Sequence, residues 1–403
     1  MKHIIRTFLM LAFFMPTGTR AQLFTQNTRA FTTSPVQLGM GGAGVALPKR
    51  TSAVFYNPAG LKASLNGHKF RFDLLGVRTG VVANGNDWAD FLQNDFQNAL
   101  DTGWDQLPNE EKEAIYDESL ELSREQNGVG VQAGALLPHV AFRLGSHAAM
   151  NLGVWSDAKS VFTLTDGGAG VPEVQLLAQA DAMGVVGWSM DISPALSVGL
   201  KAQYTDRRLV AQKSPMDAFD QDYPIYALHA KGISADVGLL YRLPLVRGLQ
   251  IGAAVYDVFS DGLDQYSTED AELVSGQENP TQLAEFVALA KTRKTGLSYR
   301  AGLGYSHNFG RALGISLAAD YAGYQNPALE QDWKTGVYLG GELRLLRFLQ
   351  LRGGFHQGYL SYGGGLDLGG LFIDYAYYGT ETGRLPGQAP QYTHQLQVVL
   401  GLW

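Results

Sequence analysis

The chain has 403 residues, of which only 17% are charged and 11% aromatic, with 49 Gly, 19 Tyr, 19 Phe and no Cys. An ordinary soluble domain carries about 25% charged residues, and the missing Cys excludes disulfide scaffolds, zinc–thiolate sites, iron–sulfur clusters and Cys nucleophiles. The formal charge is −7, which argues against nucleic acid as a partner, since binding it needs basic patches for phosphate.

Residues 1–21, MKHIIRTFLMLAFFMPTGTRA, hold Lys2 and Arg6, then an apolar run from Thr7 to Met15, then Pro16 and small residues before Ala21. This order predicts a secretory signal peptide. The run is too short for a membrane helix, which needs about 20 apolar residues. Without the leader, 28 basic residues face 38 acidic ones. Residues 22–66 are rich in small residues and show no long alternation. They precede the first convincing strand, and a segment of this kind can fold into a barrel as a plug.

From about residue 128 the dominant pattern has period two. In 196–204, Leu196, Val198, Leu200, Ala202 and Tyr204 oppose Ser197, Gly199, Lys201 and Gln203. In 297–305, Leu297, Tyr299, Ala301, Leu303 and Tyr305 oppose Ser298, Arg300, Gly302 and Gly304. The same holds at 313–321, 335–345, 349–356 and 371–377. Successive side chains on a strand point to opposite faces, so each segment has one apolar and one polar or glycine face. The segments run to about ten residues or more, which suits a tilted bilayer crossing of about 9–11 residues better than the 5–6 of soluble strands. The predicted fold is therefore all-β, a transmembrane antiparallel barrel of about 14 strands over 67–403 with an N-terminal plug, or hatch, at 22–66. Long loops are expected near 83–127 and 259–294, with helical stretches at 87–101, 108–124 and 281–293 that are either solvated loop helices without a specific role or a cap on the barrel mouth through their apolar stripes. Trp155, Trp188, Tyr204, Tyr241, Tyr305, Tyr321 and Trp333 are read as interfacial girdles, so membrane lipid is an expected partner.

The inward face carries charge. Lys201, Asp236, Arg300, Asp320, Glu342, Arg344, Arg352, His356, Asp367 and Asp374 stand opposite apolar sets, and buried charges demand partners. Arg300 can pair with Asp320, and Glu342 with Arg344 or Arg352. Such a network either holds a plug or serves substrate passage or partner docking.

Catalytic motifs are missing. Gly39-Met40-Gly41-Gly42-Ala43-Gly44 fits G-x-G-x-x-G, but no strand precedes it, Pro48 interrupts any following helix and no acid lies about 20 residues on. A tight glycine turn inside a barrel is the better reading. No G-x-S-x-G or H-E-x-x-H occurs, so no enzyme activity, cofactor or metal site is expected. Asp217, Asp220 and Asp222 read as a solvated acidic loop.

The segment Gly39 to Leu61, GMGGAGVALPKRTSAVFYNPAGL, resembles the N-terminal region of the FadL/TodX superfamily of outer-membrane transporters, with its GGAGVA stretch (Gly41, Gly42 and Gly44 supply the glycines) and its Tyr56-Asn57-Pro58-Ala59-Gly60-Leu61 motif. Similar N-termini occur in PorV/PorQ-like proteins of type IX secretion and in TraF-like barrels. The resemblance covers about 25 residues. It implies a bacterial outer-membrane location and a 14-stranded barrel with an N-terminal hatch whose Asn57-Pro58-Ala59 lies at the hatch–barrel junction. It also implies passage of a hydrophobic small molecule such as a long-chain fatty acid or aromatic hydrocarbon, or, on the PorV/PorQ-like branch, binding of a secretion-system or surface protein. Two features depart from the pattern. The inward face is charged, and the apolar series Leu396, Val398, Leu400 and Leu402 has opposite parity to the terminal Trp403.

Overall fold

The computed structural model describes residues 33–82, 91, 94–95, 97–125, 129–166, 171–215, 224–263, 265–291, 296–310, 312–324, 332–381, 385–387 and 390–402. The expected leader, residues 22–32 of the N-terminal segment, the group Asp217, Asp220 and Asp222, and Trp403 lie outside the described residues.

The alternating segments form strands. These are β1 (Phe70–Val82), β2 (Val129–Leu144), β3 (Ala148–Asp166), β4 (Pro172–Asp191), β5 (Leu196–Pro215), β6 (Ile225–Arg242), β7 (Leu249–Asp261) and β8 (Ala271–Ser275). They continue as β9 (Ser298–Phe309), β10 (Leu313–Tyr324), β11 (Val337–Leu345), β12 (Leu349–His356), β13 (Tyr359–Asp367), β14 (Leu371–Glu381) and β15 (Pro390–Leu402). All pairings are antiparallel, β7 pairs directly with β9, and β1 pairs with β15. The result is a closed barrel of fourteen strands, with β8 added only to the far end of β6 at Ile225–Leu228. Closure matters because every backbone group of the wall then has a partner without water.

Side-chain parity gives the wall its two faces. Leu200, Tyr204, Leu303, Leu317, Tyr321 and Leu351 are exposed on the outside. Their neighbours Lys201, Gln203, Ser316, Asp320 and Arg352 are buried inside. A wall that is apolar outside and polar inside suits lipid around it, so the barrel is membrane-spanning. No described helix is long and apolar enough to cross a membrane. Trp155 departs from its expected girdle position. It is 3% exposed and points inward, its ring over Gly153 and edge-on to Phe55 at 5.3 Å. One residue of parity decides between lipid and bore, and the outward residues just before it are Leu152 and Val154, both exposed.

Short turns sit at one end of the barrel, among them 145–147, 192–195 and 346–348. The long connections sit at the other. β3 to β6 run 18–20 residues, while β11 to β13 run 8–9. The long strands therefore project past a bilayer crossing at the long-loop end. The loop helices described there are α4 (Gln97–Thr102), α5 (Asn109–Glu125) and α6 (Pro280–Lys291). Glu110 and Glu111 in the first turn of α5 suit the positive end of its dipole. Asn279 caps α6, its Oδ1 accepting from Thr281 N and Gln282 N, both at 3.2 Å. The apolar stripe of α6, Phe286, Val287 and Ala290, is buried against Leu209, Tyr226 and Leu228 on the inner face of the projecting strands. α5 packs on β3 and β4.

Candidate functional site

Residues 33–66 lie within the bore, among inward side chains from both halves of the wall. The segment is built of short helical turns, α1 (Pro35–Gly39), α2 (Ala53–Tyr56) and α3 (Leu61–Ser64), with a 3-10 turn at Pro58–Gly60. Ser34 caps α1, its Oγ accepting from Val36 N at 3.3 Å, and Pro35 starts the helix where no N–H is needed. Val54, Phe55, Ala59 and Leu61 are buried to 1% exposure or less. Phe55, Val54 and Tyr56 share one apolar cluster with Leu136, Trp155, Met183 and Val185 of β2 to β4.

The glycines explain how backbone reaches wall. Gly41 and Gly42 have φ of +64° and +77°, a left-handed turn that costs other residues about 1–2 kcal/mol each. A Cβ on Gly41 would also stand 2.1 Å from Leu339 O. On the wall, a Cβ on Gly340 would meet Met40 O at 2.0 Å, and one on Gly199 would meet Ala59 N at 2.2 Å. Gly39 faces Gly363, and a Cβ on Gly60 would strike the Pro48 ring. Gly44 packs against Gln37.

Asn57 is fully buried and holds three strands of chain together. Its Oδ1 accepts from Ala59 N at 3.0 Å, and its Nδ2 donates to Val45 O at 2.8 Å and to Leu239 O of β6 at 3.0 Å. Pro58 follows at the first position of the 3-10 turn, where its fixed φ fits. Tyr56 O accepts from Tyr256 Oη at 2.6 Å. Replacing Asn57 by Ala removes the side-chain partner of two carbonyls and one N–H inside the bore. The expected cost is about 2–4 kcal/mol of segment docking, taking each lost partner at about 1 kcal/mol or more, and faster protease cleavage within residues 33–66 of the folded barrel would report it. Cleavage at the parental rate would deny Asn57 this role.

The inward charges meet the segment at several points. Asp320 Oδ2 accepts from Gly44 N at 2.7 Å and Val45 N at 2.9 Å, while Arg300 donates to Gly42 O at 2.6 Å. Arg300 and Asp320 are 3.6 Å apart, so one ion pair grips both sides of the glycine turn. Gly302, opposite Asp320 in the ladder, leaves room for that carboxylate. Glu342 pairs with Arg352 of β12 at 2.8 Å and with Lys49 of the segment at 2.7 Å. Asp374 pairs with Arg352 at 2.8 Å and with Arg50 of the segment. Burial pulls the Lys49 ammonium below its ordinary range, against the attraction of Glu342. Lys201 pairs with Asp236, its cross-strand partner, at 2.6 Å and lies over the Phe55 ring. Arg344 is separate from these groups. It is exposed near the short-turn end and donates to Asn308, not to Glu342.

Lys49, Arg50 and Lys62, which pairs with Asp191, were not among the sequence-derived candidates. A signal existed for them, because residues 22–72 contain no acid, whereas the strands carry an acidic excess. The pair Arg71–Asp73 at 2.9 Å, with His139 at 3.1 Å from the same carboxylate, was also missed. This group sits behind an interruption of the wall. The β1–β2 ladder breaks between Asp73↔His139 and Gly76↔Leu136, β1 bulges at Leu74, and β2 shifts register at Leu137 and Pro138. Pro138 cannot donate to a ladder. Leu74, Leu75 and Leu137 there are exposed on the outer face.

No protein-family model and no curated protein matches the chain. Solved structures similar to it include a mutant of the TodX monoaromatic hydrocarbon channel, at 12% identity and TM-score 0.49 over 92% of this chain and 98% of that one. The toluene transporter TbuX of Ralstonia pickettii is similar at 15% identity and TM-score 0.46 over 92% and 98%. A FadL homologue of Pseudomonas aeruginosa is similar at 11% identity and TM-score 0.43 over 92% and 97%. At these identities the likeness is one of fold.

Proposed function

We propose that the chain is an outer-membrane barrel that passes hydrophobic small molecules, with residues 33–66 as its hatch. The observation that carries this reading is the way the segment is held. Its cations and turn amides meet wall carboxylates, Lys49 to Glu342, Arg50 to Asp374, and Gly44 and Val45 to Asp320. Such contacts can be exchanged for water, so the polar part of the hold is reversible, while the apolar cluster of Val54, Phe55 and Tyr56 with β2 to β4 must part when the segment shifts. The paired charges make the axial bore a poor path for an apolar solute. The ladder break between β1 and β2 beside the hatch supports a sideways route, lined outside by Leu74, Leu75 and Leu137. The similar channels named for toluene and monoaromatic hydrocarbons suggest the ligand class to try first.

The test is uptake of labelled toluene and of labelled oleate by cells that express the chain in place of their own uptake barrel. Expressing cells should exceed empty ones for one of the two, and Pro138→Val, which restores a ladder donor, should lower that uptake several-fold. Uptake equal to that of empty cells would sink the transport reading.

A second reading is favoured by the charge-filled bore together with the projecting β3 to β6. It is a PorV/PorQ-like barrel whose long-loop end binds a secretion or surface protein while the lumen stays shut. It predicts a specific protein bound to the long-loop end and no uptake of either label.

A further inference from the structure

Beneath the hatch, at the short-turn end, lies a cavity of about 260 Å³. Its lining joins hatch to wall, with Lys49 and Arg50 on one side and Arg344, Arg347 and Arg352 on the other. The carboxylates on the same surface are Glu342 and Asp367. Glu342 is already engaged by Lys49 and Arg352 through both oxygens. Asp367 Oδ1 accepts from Gly369 N at 3.2 Å. Asp374, just behind the lining, is taken by Arg50 and Arg352. Arg344 has only the neutral Asn308 as a partner, and neither it nor Arg347 has a carboxylate within 4.0 Å among the described residues.

The cavity therefore holds two guanidinium groups without counter-charge, on the β11 strand end and the β11–β12 turn. Guanidinium forks match the paired oxygens of phosphate and carboxylate. A further observation narrows the ligand. Gln350, 4% exposed and lining the same cavity, has its Oε1 without a hydrogen-bond partner. A buried acceptor wants a donor, and an anion that also carries an O–H, such as monohydrogen phosphate, supplies both. Arg344, Arg347, Ala63 and Asn66 are exposed, so the cavity reaches solvent at the short-turn end.

We propose that this vestibule is an anion site for a phosphate group, entered from the short-turn side and bridging the hatch cations to the wall arginines. The phosphate can come from a free anion or from the headgroup of a neighbouring phospholipid. The proposal does not depend on transport, since it concerns the side away from the loops and its readout is binding.

The experiment uses full-length protein in a non-ionic detergent, with heat-modifiable gel migration to show that each variant is folded. Radiolabelled inorganic phosphate in equilibrium dialysis is the first probe. Saturable binding is expected, weakened roughly tenfold or more in Arg344→Gln/Arg347→Gln, in line with loss of charge-assisted bonds. Arg347→Gln alone should lose part of it. Arg247→Gln, on the β6–β7 turn at the same rim but away from the cavity, should bind as the parent does. The second probe is dioleoylphosphatidylglycerol in mixed micelles, read by native mass spectrometry. Lipid retained by the parent and lost in the double variant, with no binding of free phosphate, assigns the site to a headgroup. No binding of either probe, or equal binding by parent and double variant, overturns the proposal.

Discussion

A chain lacking residues 33–60 should still assemble its barrel, and in planar bilayers it should conduct roughly tenfold more than the intact protein. A 14-stranded wall encloses a polar, water-accessible bore once its filling is gone. The wall closes on itself through β1–β15 and β5–β6 without using any residue of the segment. The removed part includes Asn57, the glycine turn, Lys49 and Arg50, so Asp320, Glu342, Asp374 and Arg352 would face water instead of the segment. Heat-modifiable migration would confirm assembly before conductance is read. Conductance equal to that of the intact protein would remove the hatch model.

The second large effect is expected for Asp320→Ala. This carboxylate is 4% exposed, accepts two turn amides and neutralises Arg300. Without it, Arg300 remains inside the bore between the Tyr56 and Tyr338 rings and loses the buried carboxylate that faces it. Removing one partner of a buried pair costs about 3–5 kcal/mol. The loss should fall on hatch docking and not on the wall, whose ladder is unchanged. Hydrogen exchange at Gly44 and Val45 should then quicken on the order of a hundredfold or more, since local opening sets the exchange rate, while the amides of β10 keep their protection. Adding Arg300→Met removes the stranded charge and should restore part of the protection. Unchanged exchange in the single variant would show that the turn holds without the ion pair.

Much of the wall was legible because a membrane barrel writes itself into sequence with period two. The set Leu196, Val198, Leu200, Ala202 and Tyr204 faces out and Lys201 and Gln203 face in, as alternation requires of any strand with one buried face. Segment length and turn residues gave about fourteen strands, and closure of the ladder through β1–β15 and β5–β6 fixes the number. Trp155 shows the limit of reading by residue type. Its aromatic ring suits a membrane interface, yet parity places it against Phe55, and parity was weakest to read near the Leu137–Pro138 register shift.

Sequence by itself determined the alternating faces and the presence of inward charge, because these depend on neighbours along one strand, and it gave the number of strands only approximately. It also marked residues 22–66 as something other than strand, through their small residues and their lack of long alternation. Tertiary structure alone decided which charges meet. Arg352 reaches both Glu342 and Asp374 across Gly363 and Gly365, and Lys49, Arg50 and Lys62 cross the bore to carboxylates more than a hundred residues away. Arg344 instead turns to Asn308 and the vestibule. Such partners are set by closure of the barrel and by the path of the segment through it, which bring distant residues within a few ångströms and leave no periodic trace in the chain.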